Sequence, residues 1–188
     1  MKKYQTIVID PPWKYGKWGK PSNKLFKRHN EEFELPYPSM SLEEIEELPV
    51  PNIADNNCQL FLWVTSKYLP LGFNLLEHWG FSYAQTLVWC KTPRGLGQGG
   101  LFTPTTEFIL LGRKGRMPAV RRIDSTWFNW KRTNVHSRKP EELQDMVEKV
   151  SPPPYLEMFA RRKREGWDVW GNEVESDISL TQSKEGGE

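Results

Sequence analysis

The chain reads as one α/β domain built on a largely parallel sheet. Three observations predict this. Short β-rich runs alternate with helical segments from end to end. Several of those runs are apolar almost throughout, as buried strands are. The length, 188 residues with 37% hydrophobic and 13% aromatic side chains, is about one domain's worth and is enough to bury a core.

Taken in order, Tyr4–Ile9 is a buried strand ending at Asp10. Pro11–Pro38 is rich in Pro, Gly, Lys and Asn without periodicity and reads as a long loop, a length that usually goes with function or disorder. Ser41 followed by Glu44 is a capping box and opens a helix to about Leu48, where Pro49 and Pro51 stop it. Cys58–Val64 is a second buried strand. Tyr68–Trp79 is a helix with Leu69, Phe73, Leu76 and Trp79 near helical spacing, closed by Gly80. Tyr83–Cys90 and Glu107–Leu111 are strands on either side of a Gly-rich loop, Arg94–Gly100. Pro140–Val150 is an amphipathic helix with Leu143, Met146, Val147 and Val150 on one face. Tyr155–Phe159 and Asp168–Trp170 are the last strands, and the polar stretch 176–188 reads as a frayed tail. In open α/β sheets ligands sit beyond the carboxyl ends of the strands. That rule singles out Asp10, the segment after Cys90 and the segment after Phe159.

Composition excludes several classes. The longest apolar run is far short of the roughly 18 residues that span a bilayer, and no secretory leader pattern is present, so a cytosolic protein without membrane association is expected. Two cysteines, Cys58 and Cys90, suit core packing rather than a disulfide framework. His29, His78 and His136 lack ligand spacing, so no metal site is expected. The net charge of +2 is segregated: six Lys/Arg and no acid over Lys14–Arg28, seven Glu and no base over Glu31–Glu47, and nine Lys/Arg against one acid over Arg113–Lys139. The last stretch holds Trp127, Phe128 and Trp130. It is either a nucleic-acid groove, with cations on phosphates and rings on bases, or a solvated loop with its aromatics turned inward.

The sharpest motif is Asp10-Pro11-Pro12-Trp13, directly after a strand. The exocyclic amine of adenine is a poor nucleophile because its lone pair is delocalised into the ring. A carboxylate and a backbone carbonyl, both acceptors, can hold its two N–H bonds and favour a pyramidal nitrogen. Asp10 supplies one acceptor and the Pro11 or Pro12 carbonyl the other, on a backbone that two prolines stiffen. Trp13 offers a face for an extruded base. The plain alternative is a proline-stiffened turn over a core tryptophan. The glycines of Arg94–Gly100 lack the Gly-Lys-Ser/Thr ending of a phosphate loop.

That tetrapeptide resembles the catalytic motif of the MT-A70 family of S-adenosylmethionine-dependent adenine-N6 methyltransferases. The resemblance runs from about Tyr4 to Asn172 in family order, through Tyr37-Pro38-Ser39-Met40, Leu60–Thr65, Trp79-Gly80-Phe81, Leu87–Thr92, His136–Glu141, Leu156–Arg162 and Trp170-Gly171-Asn172. It implies a Rossmann-like fold in permuted order over residues 1–175, with the catalytic motif first and the cofactor-binding strand near the C-terminus. By resemblance, Asp10 is catalytic and lies near the cofactor's methionine end, with Pro11, Pro12 and Trp13 completing the motif. Tyr37, Lys91 and Glu107 line the acceptor pocket. Lys139 contacts the methionine carboxylate, and Glu157, Arg161 and Asn172 surround ribose and adenosine. The chain departs from the family at Lys163-Arg164, where several members carry His-Asn, and at Glu173, where a glutamine is common.

The resemblance thus implies methyl transfer from S-adenosylmethionine to adenine N6 in nucleic acid, with DNA favoured over RNA and a homodimer or heterodimer as a possible assembly. The competing expectation is an inactive nucleic-acid-binding partner subunit. The intact Asp-Pro-Pro-Trp motif argues against it.

Overall fold

The computed structural model describes residues 2–14, 39–91, 101–117, 120–132 and 138–180. Seven strands form one sheet: β1 (Tyr4–Ile9), β2 (Ala54–Val64), β3 (Ser82–Cys90), β4 (Thr106–Lys114), β5 (Trp127–Phe128), β6 (Tyr155–Met158) and β7 (Trp167–Trp170). Their order across the sheet is β5-β3-β4-β2-β1-β6-β7. β1 lies parallel between β2 and β6, with Ile9 opposite Leu62 and Met158. β7 continues parallel on β6, and β5 is parallel to β3. Only β4 runs against its neighbours, antiparallel to both β2 and β3. A parallel return needs a long crossover, usually a helix, whereas a turn suffices for an antiparallel one. The chain turns back between β3 and β4, so β4 points the other way.

Side-chain alternation sorts the core into two layers. Ile7, Ile9, Leu60, Leu62 and Val64 face one layer, where α1 (Leu42–Glu46), α2 (Val50–Ile53) and α3 (Leu69–His78) contribute Ile45, Ile53, Leu75 and Leu76. Val8, Phe61, Trp63, Trp89 and Ile109 face the other, with Leu143, Met146 and Val147 of α4 (Glu142–Val150). Coverage on both faces is why β1 and β2 read as continuous apolar runs.

The helix boundaries have local causes. Ser41 accepts from the Glu44 amide at 3.2 Å while the Glu44 carboxylate accepts from the Ser41 amide at 2.6 Å, completing the capping box. α1 ends at Glu46, and α2 follows as one turn with Pro51 inside it. Proline is tolerated there because first-turn amides have no helical acceptor. Gly80 takes φ +76° after α3, where the Phe81 amide donates to the Leu76 carbonyl at 2.8 Å, a left-handed termination that suits glycine.

Part of the C-terminal stretch is docked. Asp177 donates its amide to the Val169 carbonyl at 2.8 Å and accepts from the Val169 amide at 3.0 Å, while Ile178 and Leu180 pack against the first layer.

Candidate functional site

The carboxyl ends of β1, β3 and β6 converge on one edge, as the parallel-sheet rule requires. Asp10 leaves β1 there. Lys91 follows β3, and its amide donates to the Thr105 carbonyl at 2.9 Å. Glu107 reaches the same edge because β4 is reversed: it sits opposite Trp89, at the start of its own strand. Lys139 enters from the segment preceding α4.

These four groups form an alternating line of charge. Lys139 Nζ lies 3.1 Å from Asp10 Oδ1 and 3.0 Å from Glu107 Oε2, and Lys91 Nζ lies 2.6 Å from Glu107 Oε1. Tryptophans form the floor: Lys139 Nζ sits 5.1 Å above the Trp63 ring and Lys91 Nζ 5.7 Å from that of Trp89. The two rings meet edge-on at 5.7 Å. Burial raises the Asp10 carboxyl above its ordinary value; Lys139 offsets this only in part, and the Glu107 charge adds to it. Burial acts on Glu107 in the same direction, but Lys139 and Lys91 outweigh it and hold this carboxyl below the usual range. Burial opposes the Lys139 charge, yet two carboxylates overcome it and keep the ammonium firmly protonated.

A second group lies across the cleft. Glu157 on β6 pairs in register with Val8 of β1 and Val169 of β7. Its Oε2 accepts from Gln144 Nε2 at 2.5 Å, and Gln144 Oε1 accepts from Arg162 at 2.7 Å. Burial pushes the Glu157 carboxyl up to about 7, with the Asp10 charge adding and Arg162 and the Gln144 bond subtracting. Immediately after β6 the chain bends: Phe159 has φ +61°, a left-handed value uncommon outside glycine and asparagine. Gly171 permits the bend, since a Cβ there would lie 2.4 Å from the Ala160 carbonyl oxygen.

Between the two groups is an open cleft of about 450 Å³, counting the space at its mouth. Asp10, Lys139, Glu157 and Arg161 all line it, with Gln144 and Arg162. Its donor set suits a ligand carrying a carboxylate and vicinal hydroxyls, because an ammonium pairs with the first and a carboxylate accepts from the second. Among the described residues, no group of three or more His, Cys, Asp or Glu is placed to hold a metal ion, and no helix is long and apolar enough to cross a membrane.

The other expected site residues are placed as follows. Pro11 and Pro12 each present a carbonyl that already accepts one backbone bond, from Trp13 at 2.8 Å and from Met40 at 2.9 Å. A carbonyl has two lone pairs, so each keeps one acceptor position. Trp13 does not offer an open stacking face. It is 5% exposed, stacks on Tyr68 at 4.8 Å and donates from Nε1 to the Trp63 carbonyl at 3.2 Å, so the plain reading of a core tryptophan under the turn is the one observed. Asn172 is exposed past the end of β7, outside the cleft lining, and Glu173 beside it pairs with Arg161 at 3.2 Å. Tyr37, the loop Arg94–Gly100, His29 and His136 lie outside the described residues. Lys163 and Arg164 brace the scaffold: Lys163 pairs with Asp177 at 2.9 Å, and Arg164 with Glu148 at 2.8 Å and Asp145 at 2.7 Å.

The basic segment divides between its two readings. Phe128 and Trp130 stack on each other at 4.4 Å and pack against the core, while Trp127 on the edge strand is 58% exposed among exposed Arg121, Arg122 and Lys131. Sequence reasoning missed Trp63, Gln144 and Arg162. The one signal for Gln144 was its position beside Leu143 on an otherwise apolar helix face, where a polar residue needs a buried partner.

The sequence profile of the MT-A70 family matches residues 4–173. A type II methyltransferase, M.MunI, of a Mycoplasma species is 35% identical over 185 residues, covering 92% of this chain and 78% of its own length. The human N(6)-adenine-specific methyltransferase METTL4 is 31% identical over 191 residues, covering 92% of this chain and 38% of its own. A putative N(6)-adenosine-methyltransferase of Medicago truncatula is 31% identical over 181 residues, covering 92% and 26%. A profile match over nearly all of the chain and a relative 35% identical along most of its own length lead to one conclusion: the chain belongs to the MT-A70 family of adenine-N6 methyltransferases.

Proposed function

We propose that this chain methylates the N6 amine of adenine in DNA, using S-adenosylmethionine bound in the cleft between Asp10 and Glu157. The observation that carries the reading is Asp10. Its carboxyl sits at the strand end that carries the two proline carbonyls, keeps 27% of its side-chain surface exposed, and lines a cleft of suitable chemistry. The pairing with Lys139 engages Oδ1 and leaves the cleft open beside it.

When bound, S-adenosylmethionine supplies an electrophilic methyl on a sulfonium. The chain's own residues do the rest by orientation. Asp10 accepts one N–H of the adenine amine, and the Pro11 or Pro12 carbonyl accepts the other. Burial keeps Asp10 a better proton acceptor than an ordinary aspartate. Lys139 takes the methionine carboxylate, and Glu157 takes the ribose hydroxyls. Arg161 borders the adenosine, with Asn172 beyond the cleft lining on that side, and Tyr37, Lys91 and Glu107 border the acceptor nucleotide. DNA is favoured over RNA because a type II methyltransferase is matched along 78% of its own length. Cytosolic action is part of the same reading.

Incubation with labelled cofactor and adenine-containing DNA or RNA oligonucleotides, followed by nucleoside mass spectrometry, tests this directly. N6-methyladenine from DNA is expected. Methylation of RNA alone would overturn the polymer assignment. Tight nucleic-acid binding with no measurable cofactor binding would favour the inactive-partner reading instead.

A further inference from the structure

Gln144 is 2% exposed, carries an amide with two ends, and has a charged group at each end. Arg162 is an obligate donor, so the amide oxygen must face it. The amide nitrogen is thereby turned toward Glu157, where only an acceptor satisfies it. Arg162 is itself anchored at 3.1 Å by Glu141, which also holds Arg138 at 3.0 Å. The direction of the amide is therefore set by an arginine that is itself held by Glu141.

We propose that Arg162 and Gln144 are positioning residues that together hold Glu157 as the hydrogen-bond acceptor for the ribose hydroxyls of S-adenosylmethionine. This rests on the cofactor reading above. With Arg162 removed, the amide is free to reverse and present its oxygen to Glu157. A carboxyl facing an oxygen is favoured when it keeps its proton, and a protonated carboxyl is the weaker acceptor. Other groups act on Glu157 as well. Asp10 faces it from β1, Arg162 and Arg164 from the chain after β6; α4 contributes the neutral Gln144 amide and β7 the apolar Val169.

The test is calorimetric titration of S-adenosylhomocysteine, the demethylated cofactor, into the full chain at pH values on both sides of 7. Affinity of the unaltered chain should rise with pH through about 7, as Glu157 ionises. Gln144→Leu should weaken binding about tenfold at neutral pH, the scale of one hydrogen bond to a charged group, and move the midpoint upward. Arg162→Leu should shift the midpoint the same way and at least as far, because it removes a charge that acts on Glu157 directly as well as the anchor of the amide. The double variant should be no worse than Arg162→Leu, because Gln144 acts on Glu157 only through the amide that Arg162 sets. Unshifted midpoints in both variants would overturn the proposal, as would a shift in Gln144→Leu with none in Arg162→Leu. Glu157→Gln separates the two levels: if it binds normally, the cofactor reading itself fails. Should Gln144→Leu prove unfolded by circular dichroism, Gln144→Met, which keeps the length of the side chain and lacks the amide, takes its place in the comparison.

Discussion

Asp10 and Glu107 share one ammonium, so a change at either is felt at the other. Asp10→Ala should lower methyl transfer by about a hundred- to ten-thousandfold, the range for loss of a positioned acid–base group, with thermal unfolding little changed. Lys139→Met leaves Asp10 without its cation, while Glu107 keeps Lys91. The Asp10 value then rises further, so the acid limb of the rate–pH profile should move to higher pH. Glu157 predicts a stability effect of definite sign. Its folded value lies near 7 against an ordinary 4.5, so across that interval the unfolded chain gives up a proton the folded chain keeps. Folding stability contributed by this group is present below the interval and lost as pH climbs through it. Glu157→Gln should flatten the difference, read as unfolding midpoint against pH. At this scale the sequence was informative where chemistry is carried by a motif, as at Asp10. For Gln144 it offered only a polar place on an apolar helix face, because the importance of that residue lies in partners from residues 157 and 162.

Elements were legible to the extent that their signals are local. β1 has the expected bounds because an unbroken apolar run needs no context, and the capping box and Gly80 mark helix ends through bonds made within a few residues. β2 begins four residues earlier than its apolar run, at Ala54 rather than Cys58, because Tyr4 pairs with Ala54; polar Asp55–Asn57 lie in the register break before Thr6 pairs with Gln59. β5 is two residues long and exists through its pairing with β3, which no local pattern announces. The clamp between α4 and β7 yields a prediction of its own. Arg164 grips Glu148 and Asp145 of the helix, and Trp167 Nε1 donates to Glu148 at 2.7 Å. Arg164→Ala should cost about 1–2 kcal/mol in denaturant unfolding, a partly exposed network lying above the range of single surface pairs. Gly171→Ala should cost about 1–3 kcal/mol for a clash with backbone that cannot rotate aside, and should weaken cofactor binding by disturbing the bend after β6.

For the molecule as a whole, charge segregation matters more than net charge. On the proposed reading the arginines around Trp127 hold nucleic acid by its phosphates. Affinity measured by fluorescence anisotropy should fall steeply with salt, and Trp127→Ala should cost about 1–3 kcal/mol through lost stacking while leaving the salt slope intact. A flat salt response would remove this surface from the interface. The place of β1 in the sheet has a separate consequence, for biosynthesis. Among the described strands β1 is synthesised first, yet in the finished sheet it lies between β2 and β6, and β6 follows every other described strand but β7. Until Tyr155–Met158 emerges, one edge of the apolar Tyr4–Ile9 segment has nothing to pair with, which is the condition under which nascent strands join wrong neighbours. A chain stalled or truncated before residue 155 should therefore depend on chaperones far more than the finished protein does.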